Sequence, residues 1–171
     1  YFDIAKRIFD SEDDYEIKLT IKENDRKKLE EITAEKYDIL VKKDEYITQM
    51  NFFSKDKINI LRLQKLDLSG GEERDNRPLL NDAFNTKKVV SGFENGLTGL
   101  SYRVIIPFFD NQNDFIGVFE IGISTKKLLD TVTFFNNIEG VFYNNYSKDF
   151  LTSKAIDSKF LEYLENFKYE D

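Results

Sequence analysis

The sequence predicts an α+β domain: a long N-terminal helical segment, an antiparallel sheet of about five strands, and a helix after the last core strand. Three observations carry this prediction. Apolar residues recur at helical spacing up to residue 44 and at the two-residue period of strands after it. Short turn-rich segments join the strands in succession, and a parallel return would need a long crossover, so the pairing is antiparallel. The 171 residues suit one domain and leave little room for two. That domain is expected to run over 1–171: helical in 1–44, sheet with loops in 45–124, and helix, strand and helix in 125–171.

In the first segment Phe2, Ala5 and Phe9 share a helical face before the polar break Asp10-Ser11-Glu12-Asp13-Asp14. Tyr15, Leu19 and Ile21 mark the apolar side of a second short helix. Asn24 or Asp25 can cap a third, with Leu29, Ile32, Ile39 and Leu40 as its stripe. After Lys43-Asp44 the period changes. Glu45 to Phe53 and Lys57 to Gln64 read as strands joined by Ser54-Lys55-Asp56, a turn of hairpin length. In the second strand Ile58, Ile60 and Arg62 fall on one face, with Leu61 and Leu63 on the other. Leu66 to Asn76 is polar around Gly70-Gly71 and reads as loop, closed by Arg77-Pro78 and a helical turn over Leu79 to Phe84.

Three further strands follow, Lys88–Glu94, Leu100–Phe108 and Phe115–Ser124. Asn95-Gly96-Leu97-Thr98-Gly99 and Asp110-Asn111-Gln112-Asn113-Asp114 separate them, both strong turn compositions. Ser124 can cap a helix reaching about Phe135, with Leu128, Leu129 and Val132 inward. A strand near Ile138–Tyr143 and a helix near Asp157–Phe167 complete the chain.

Composition removes several function classes. There is no Cys and no His, which rules out thiolate nucleophiles, Cys/His zinc sites, Ser-His-Asp triads and imidazole acid–base chemistry. A net charge of −7 argues against nucleic acid and anionic membrane surfaces, both of which need clustered basic residues. Gly92-Phe-Glu-Asn-Gly96-Leu-Thr-Gly99 lacks the Lys and the following helix of a phosphate loop. The Asp110–Asp114 turn lacks the Gly and Glu of a calcium loop. No metal or cofactor is expected, and no catalysis. The 16 Phe and 9 Tyr supply core and can also line a small-molecule pocket. No apolar run approaches the ~20 residues of a membrane span. The chain begins at Tyr1 without Met or a signal peptide, so it is expected to be a segment of a longer protein.

Polar residues on otherwise apolar strands are the strongest site signal, because burying them unpaired costs several kcal/mol. Arg62, Arg103 and Glu120 stand out in this way. Arg103 and Glu120 either bridge each other across the sheet, lie exposed at its edge, or present a guanidinium to a ligand carboxylate. Arg77, fixed by the following Pro78, and Glu94, between Gly92 and Gly96, join them as candidates.

The runs Ile58-Asn-Ile-Leu-Arg-Leu63, Asp75-Asn-Arg-Pro78, Gly92-Phe-Glu-Asn-Gly96, Tyr102-Arg-Val-Ile-Ile-Pro107 and Phe115-Ile-Gly-Val-Phe-Glu-Ile-Gly122 resemble the Cache family of sensor domains. The subgroup is the double-sensory-domain type of bacterial histidine kinases, diguanylate cyclases and chemoreceptors. The likeness covers about residues 12–135. It implies a PAS-like sheet, a pocket between the sheet and its covering loops and helices, and a periplasmic position in an inner-membrane receptor anchored outside this segment. Positions Arg62, Arg77, Glu94 and Arg103 would surround the pocket. Related sequences often carry His in the strand matching Gln49-Met-Asn-Phe52; this chain has none, so ligand type does not transfer.

The expected function is therefore extracytoplasmic sensing of a small organic, carboxylate-bearing ligand by a bacterial transmembrane signalling receptor, homodimeric in full. Arg103 would be the main anion contact, helped by Arg62 and Arg77, with Glu94 facing a ligand amine or an arginine. Glu120 and Tyr102 belong to the same set, and Tyr46, Phe52 and Phe108 would join Tyr102 in the pocket walls. The alternative keeps the fold without a ligand, as a protein-interaction or dimerisation domain.

Overall fold

A computed structural model of the chain describes residues 14–72, 77–96, 99–136, 141–144 and 149–152. It divides into two compact units, Tyr1–Ile123 and Ser124–Asp171. The helices expected within residues 1–13 and near 157–167 lie outside the described residues.

The described residues of the first unit begin with α1 (Asp14–Glu23) and α2 (Arg26–Lys43). Asn24, with φ of 55°, turns the chain between them, and the Asp25 carboxylate caps α2 by accepting from the Lys28 amide at 3.0 Å. The inward faces agree with the expected ones at Ile21 and Leu29 and differ elsewhere. Tyr15 is 64% exposed and Ile39 45%, whereas Ile17, Thr20, Ile21, Leu29 and Thr33 are buried. The threonines explain the difference. Thr20 donates its hydroxyl to Ile17 O at 2.7 Å and Thr33 to Leu29 O at 2.6 Å. Satisfied within their own helix, they present a methyl-sized surface to the core.

The sheet comprises β1 (Ile47–Ser54), β2 (Ile58–Arg62), β3 (Gly71–Glu72), β4 (Val90–Gly96), β5 (Gly99–Phe109) and β6 (Phe115–Ser124), in spatial order β3-β2-β1-β6-β5-β4. The five long strands match the expected five; β3 is a two-residue edge within the expected loop. A short 3-10 turn (Leu66–Leu68) precedes β3, and α3 (Pro78–Thr86) follows it. β1 pairs antiparallel with both β2 and β6, so the first and last long strands lie side by side at the centre.

Two backbone irregularities shape β1's neighbours. The β1–β2 register runs Asn51↔Arg62, Phe52↔Leu61, Phe53↔Asn59, skipping Ile60. This bulge separates Ile58 from Arg62, against the alternation expected, and buries Ile60 together with Leu61. On β6, Gly117 sits opposite Ser54 with φ of 155°; a Cβ there would lie 2.1 Å from Phe53 O.

Alternation gives the sheet two unlike faces. One carries Phe52, Phe108 and Phe119, with Phe119 centroids 5.0 Å from Phe52 and 6.3 Å from Phe108. Helices α1 and α2 pack against β1, and Ile21 reaches towards Gly117. The other face begins apolar, where Phe53, Ile105 and Val118 pack with Leu80, Ala83 and Phe84 of α3. Further along, the same face becomes polar, and the candidate site lies there.

The second unit contains α4 (Thr125–Asn136) and an antiparallel pair, β7 (Val141–Asn144) with β8 (Asp149–Thr152). Lys127 N donates to Ser124 Oγ at 3.3 Å, the expected cap. β7 overlaps the expected strand near Ile138–Tyr143, and β8 was not foreseen. Among the described residues no helix is long and apolar enough to cross a membrane.

Candidate functional site

The polar half of the face is assembled by strand register. Asn51 on β1 stands opposite Glu120 on β6, and Gln49 opposite Gly122. On the next hairpin Arg103 of β5 pairs with Gly92 of β4, and Ser101 with Glu94. Six polar side chains therefore project from one side of four adjacent strands, and all are buried. Helix α3 contributes from above: Arg77 sits at its N-cap position, ahead of Pro78, and is also buried.

Glu120 is the hub. Its Oε1 accepts from Arg103 Nη1 at 2.7 Å and from Asn51 Nδ2 at 2.6 Å. Its Oε2 accepts from Arg77 Nη2. Glu94 is the second carboxylate, accepting from Arg77 Nε through Oε2 and from the Leu79 amide through Oε1 at 2.8 Å. That amide belongs to the first turn of α3, so Glu94 caps from across the sheet the helix that Arg77 leaves uncapped. Arg103 Nε lies 3.7 Å from Glu94 Oε2. Gln49 completes the floor by accepting from Arg103 Nη1 at 3.0 Å and donating to Ser101 Oγ at 2.8 Å. It lies over Gly122, where a Cβ would come within 2.9 Å of its side chain.

Charge and burial explain the titration of the hub. Burial alone would push the Glu120 carboxyl up; Arg103 and Arg77, with the Asn51 and Arg77 hydrogen bonds, outweigh it and hold the group below the ordinary carboxylate range. Burial lowers the Arg103 guanidinium from its ordinary value, opposed by Glu120 and Glu94. Among the described residues, two guanidiniums face two carboxylates in this buried network.

Above this floor lies a recess lined by Gln49, Arg62, Gln64, Lys65, Leu68, Arg77 and Arg103. Its volume is about 10 Å³, room for roughly one water. Among the described residues, four of the seven that line it are cationic and none is acidic. Gln64 ties the rim to the floor, donating to Asn51 Oδ1 at 2.8 Å and accepting from Met50 N at 3.0 Å. Arg62 donates from Nε to Leu68 O at 3.0 Å.

Of the residues singled out in the sequence, Arg62, Arg77, Glu94, Arg103 and Glu120 come together here. Arg103 and Glu120 are partners in a cross-sheet bridge, one of the arrangements left open. Tyr102 alternates with Arg103 and so faces the opposite side, edge-to-face on Phe93 at 5.1 Å with its hydroxyl on Ser91. Phe52 and Phe108 belong to the aromatic stack on that opposite side, and Tyr46 does not line the recess. Gly92 serves packing, since Leu79 Cδ atoms approach within 3.4 Å of where its Cβ would be. Gln49, Asn51, Gln64, Lys65 and Ser101 were not anticipated. Gln49 and Asn51 were legible by the rule that found Arg103, as alternate polar residues on an apolar strand.

Residues 11–164 match the family described as the double sensory domain of two-component sensor kinases. Among solved structures, the chain resembles an extracellular ligand binding receptor from Desulfohalobium retbaense, at 12% identity and TM-score 0.55, over 84% of this chain and 27% of that one. It also resembles a domain of a sensory box/GGDEF family protein from Vibrio parahaemolyticus, at 12% identity and TM-score 0.50, over 76% and 54%. The sensor domain of E. coli DcuS gives 15% identity and TM-score 0.48, over 56% and 68%. No match to a curated protein sequence was found.

Proposed function

The chain belongs to the double sensory domain family of two-component sensor kinases, a Cache-type family of sensing domains, and from that premise we propose that it is the extracytoplasmic ligand-sensing domain of a bacterial transmembrane receptor. Its ligand in this reading is a small organic molecule bearing a carboxylate, its full receptor is a homodimer, and it performs no catalysis. The observation that carries the ligand class is the recess wall. Among the described residues, Arg62, Lys65, Arg77 and Arg103 line it without an acid, while Glu94 and Glu120 pair with Arg77 and Arg103 from behind. An added carboxylate would meet three guanidiniums and an ammonium converging on one recess, with guanidinium geometry suited to two parallel hydrogen bonds.

A thermal-shift screen with acetate, succinate, glutamate and a control series of amines tests this. A ligand that binds only the folded chain stabilises it by about 2.7 kcal/mol at a hundred times its Kd, so a carboxylate should raise Tm where amines do not. Arg62→Gln with Lys65→Gln should abolish the shift and leave the ligand-free Tm within a few degrees, since both are rim residues. A shift that survives both changes would remove the ligand from this recess. A stable dimer that responds to no small molecule would support the protein-interaction reading in its place.

A further inference from the structure

We propose that the Lys65–Ser69 strap is the gate of the cationic recess, and that Arg26 transmits the strap's position to the first turn of α2. The proposal rests on the reading of the recess as a ligand site and adds how occupancy would be felt elsewhere in the chain.

The floor of the recess cannot easily move. Gln49 and Arg103 are buried on central strands and bonded to Glu120 and Ser101. The volume leaves space for about one water, so any organic guest must displace a wall. The wall opposite is the strap, which supplies Lys65 and Leu68. Its apolar side chains anchor it weakly: Leu66 is 38% exposed and Leu68 41%. Polar bonds to its carbonyls and to the Ser69 hydroxyl hold it instead. Arg62 Nε donates to Leu68 O at 3.0 Å, and Arg62 N donates to Ser69 Oγ at 2.7 Å. Arg26 Nη2 donates to Leu66 O at 2.7 Å. Within the strap, Leu68 N donates to Lys65 O and Ser69 N to Leu66 O, both at 3.1 Å.

Arg62 stands at the junction of these functions. Its side chain lines the recess and also holds Leu68 O. A carboxylate entering the recess competes with that carbonyl, and a charge-assisted bond to a carboxylate is the stronger of the two. Release of Leu68 O loosens the turn that positions Leu66 O, two residues away. Leu66 O is the acceptor of Arg26, the first residue of α2. The Arg26 amide in turn donates to Asn24 O at 3.0 Å, at the left-handed joint between α1 and α2. A ligand that prefers the open strap therefore favours a different setting of the helix start, through differential affinity alone.

Amide hydrogen exchange on the full chain tests the link without and with ligand. In the absence of ligand, Arg62→Ala should speed exchange at Leu68 and Ser69 by roughly three- to tenfold, the effect of losing one ordinary hydrogen bond. Exchange at Leu29 and Glu30 should rise with it, while the last turn of α2 stays as in the wild type. In Arg26→Ala, adding Arg62→Ala should still loosen the strap but leave the α2 start unmoved. If α2 responds as strongly without Arg26, or if the strap ignores Arg62→Ala, the proposed path is wrong. Acetate, succinate or glutamate added to wild type should move strap and α2 amides together, and in Arg26→Ala the strap amides alone. Should none of these compounds alter any amide while the ligand-free link holds, the carboxylate reading fails and the coupling stands.

Discussion

Glu120 accepts from two guanidiniums and an amide inside the sheet, so its removal breaks two buried ion pairs at once. Glu120→Gln removes the carboxylate that Arg77 and Arg103 share, and breaking a buried pair by removing one partner costs about 3–5 kcal/mol. Arg103→Met combined with Glu120→Leu leaves the balanced pair Arg77–Glu94 and fills the same space with apolar atoms. Urea denaturation should therefore find the double variant more stable than Glu120→Gln, within roughly 1–2 kcal/mol of wild type. A double variant as unstable as the single one would show that shape or Asn51 satisfaction matters more than charge. The same residues show what a sequence can disclose about a site. Arg103 and Glu120 were legible because polar side chains break an apolar alternation, and Arg77 because Pro78 fixes its backbone. Their pairing was not, since strand register is a tertiary property. Arg62 was assigned to the face of Ile58 because no sequence signal marks the bulge at Ile60.

The elements were legible where their patterns are long. β6 falls on the expected Phe115–Ser124, and β5 and α4 differ from expectation by one or two residues. The faces of α1 and α2 were legible at Ile21 and Leu29 but not at Thr20 and Thr33, which look polar in sequence yet satisfy their hydroxyls internally. Gly117 was readable only as an ordinary strand residue, yet it sets how closely β6 approaches β1. A Cβ at this position would meet Phe53 O at 2.1 Å, and backbone cannot swing aside as a side chain can. Gly117→Ala should therefore destabilise by about 1–3 kcal/mol, the usual cost of overpacking, and shift the urea midpoint without changing the slope. Because Phe53 packs with Val118 and Leu80 beneath α3, near-ultraviolet dichroism of the aromatic cluster should change in parallel. A neutral Gly117→Ala would mean that the strands separate more readily than this contact implies.

Over the whole molecule, the chain carries 32 acidic against 25 basic residues, and its pI is about 4.8. Lowering the pH from neutrality towards that value first relieves self-repulsion among the acids, which favours the compact state. Below it a different effect takes over. In the folded chain the Glu120 carboxyl is held below its ordinary range, burial being outweighed by Arg103 and Arg77. Asp110 is likewise held low, by its hydrogen bond to Lys22 and by the amides of its own turn. A carboxyl so depressed contributes its full stabilisation above the unfolded value of about 4.3 for Glu. As the pH falls through that value the unfolded chain takes up protons that the folded chain refuses, so stability declines until the folded groups protonate as well. Tm is thus expected to hold or rise from about pH 7 to 5 and to fall steeply from about 5 to 3. Glu120→Gln lacks the depressed carboxyl, so its Tm, though lower throughout, should fall less over the acid range. Parallel acid limbs for the two proteins would place the proton linkage elsewhere among the carboxylates, and with it the claim that Glu120 stays ionised at the centre of the sheet.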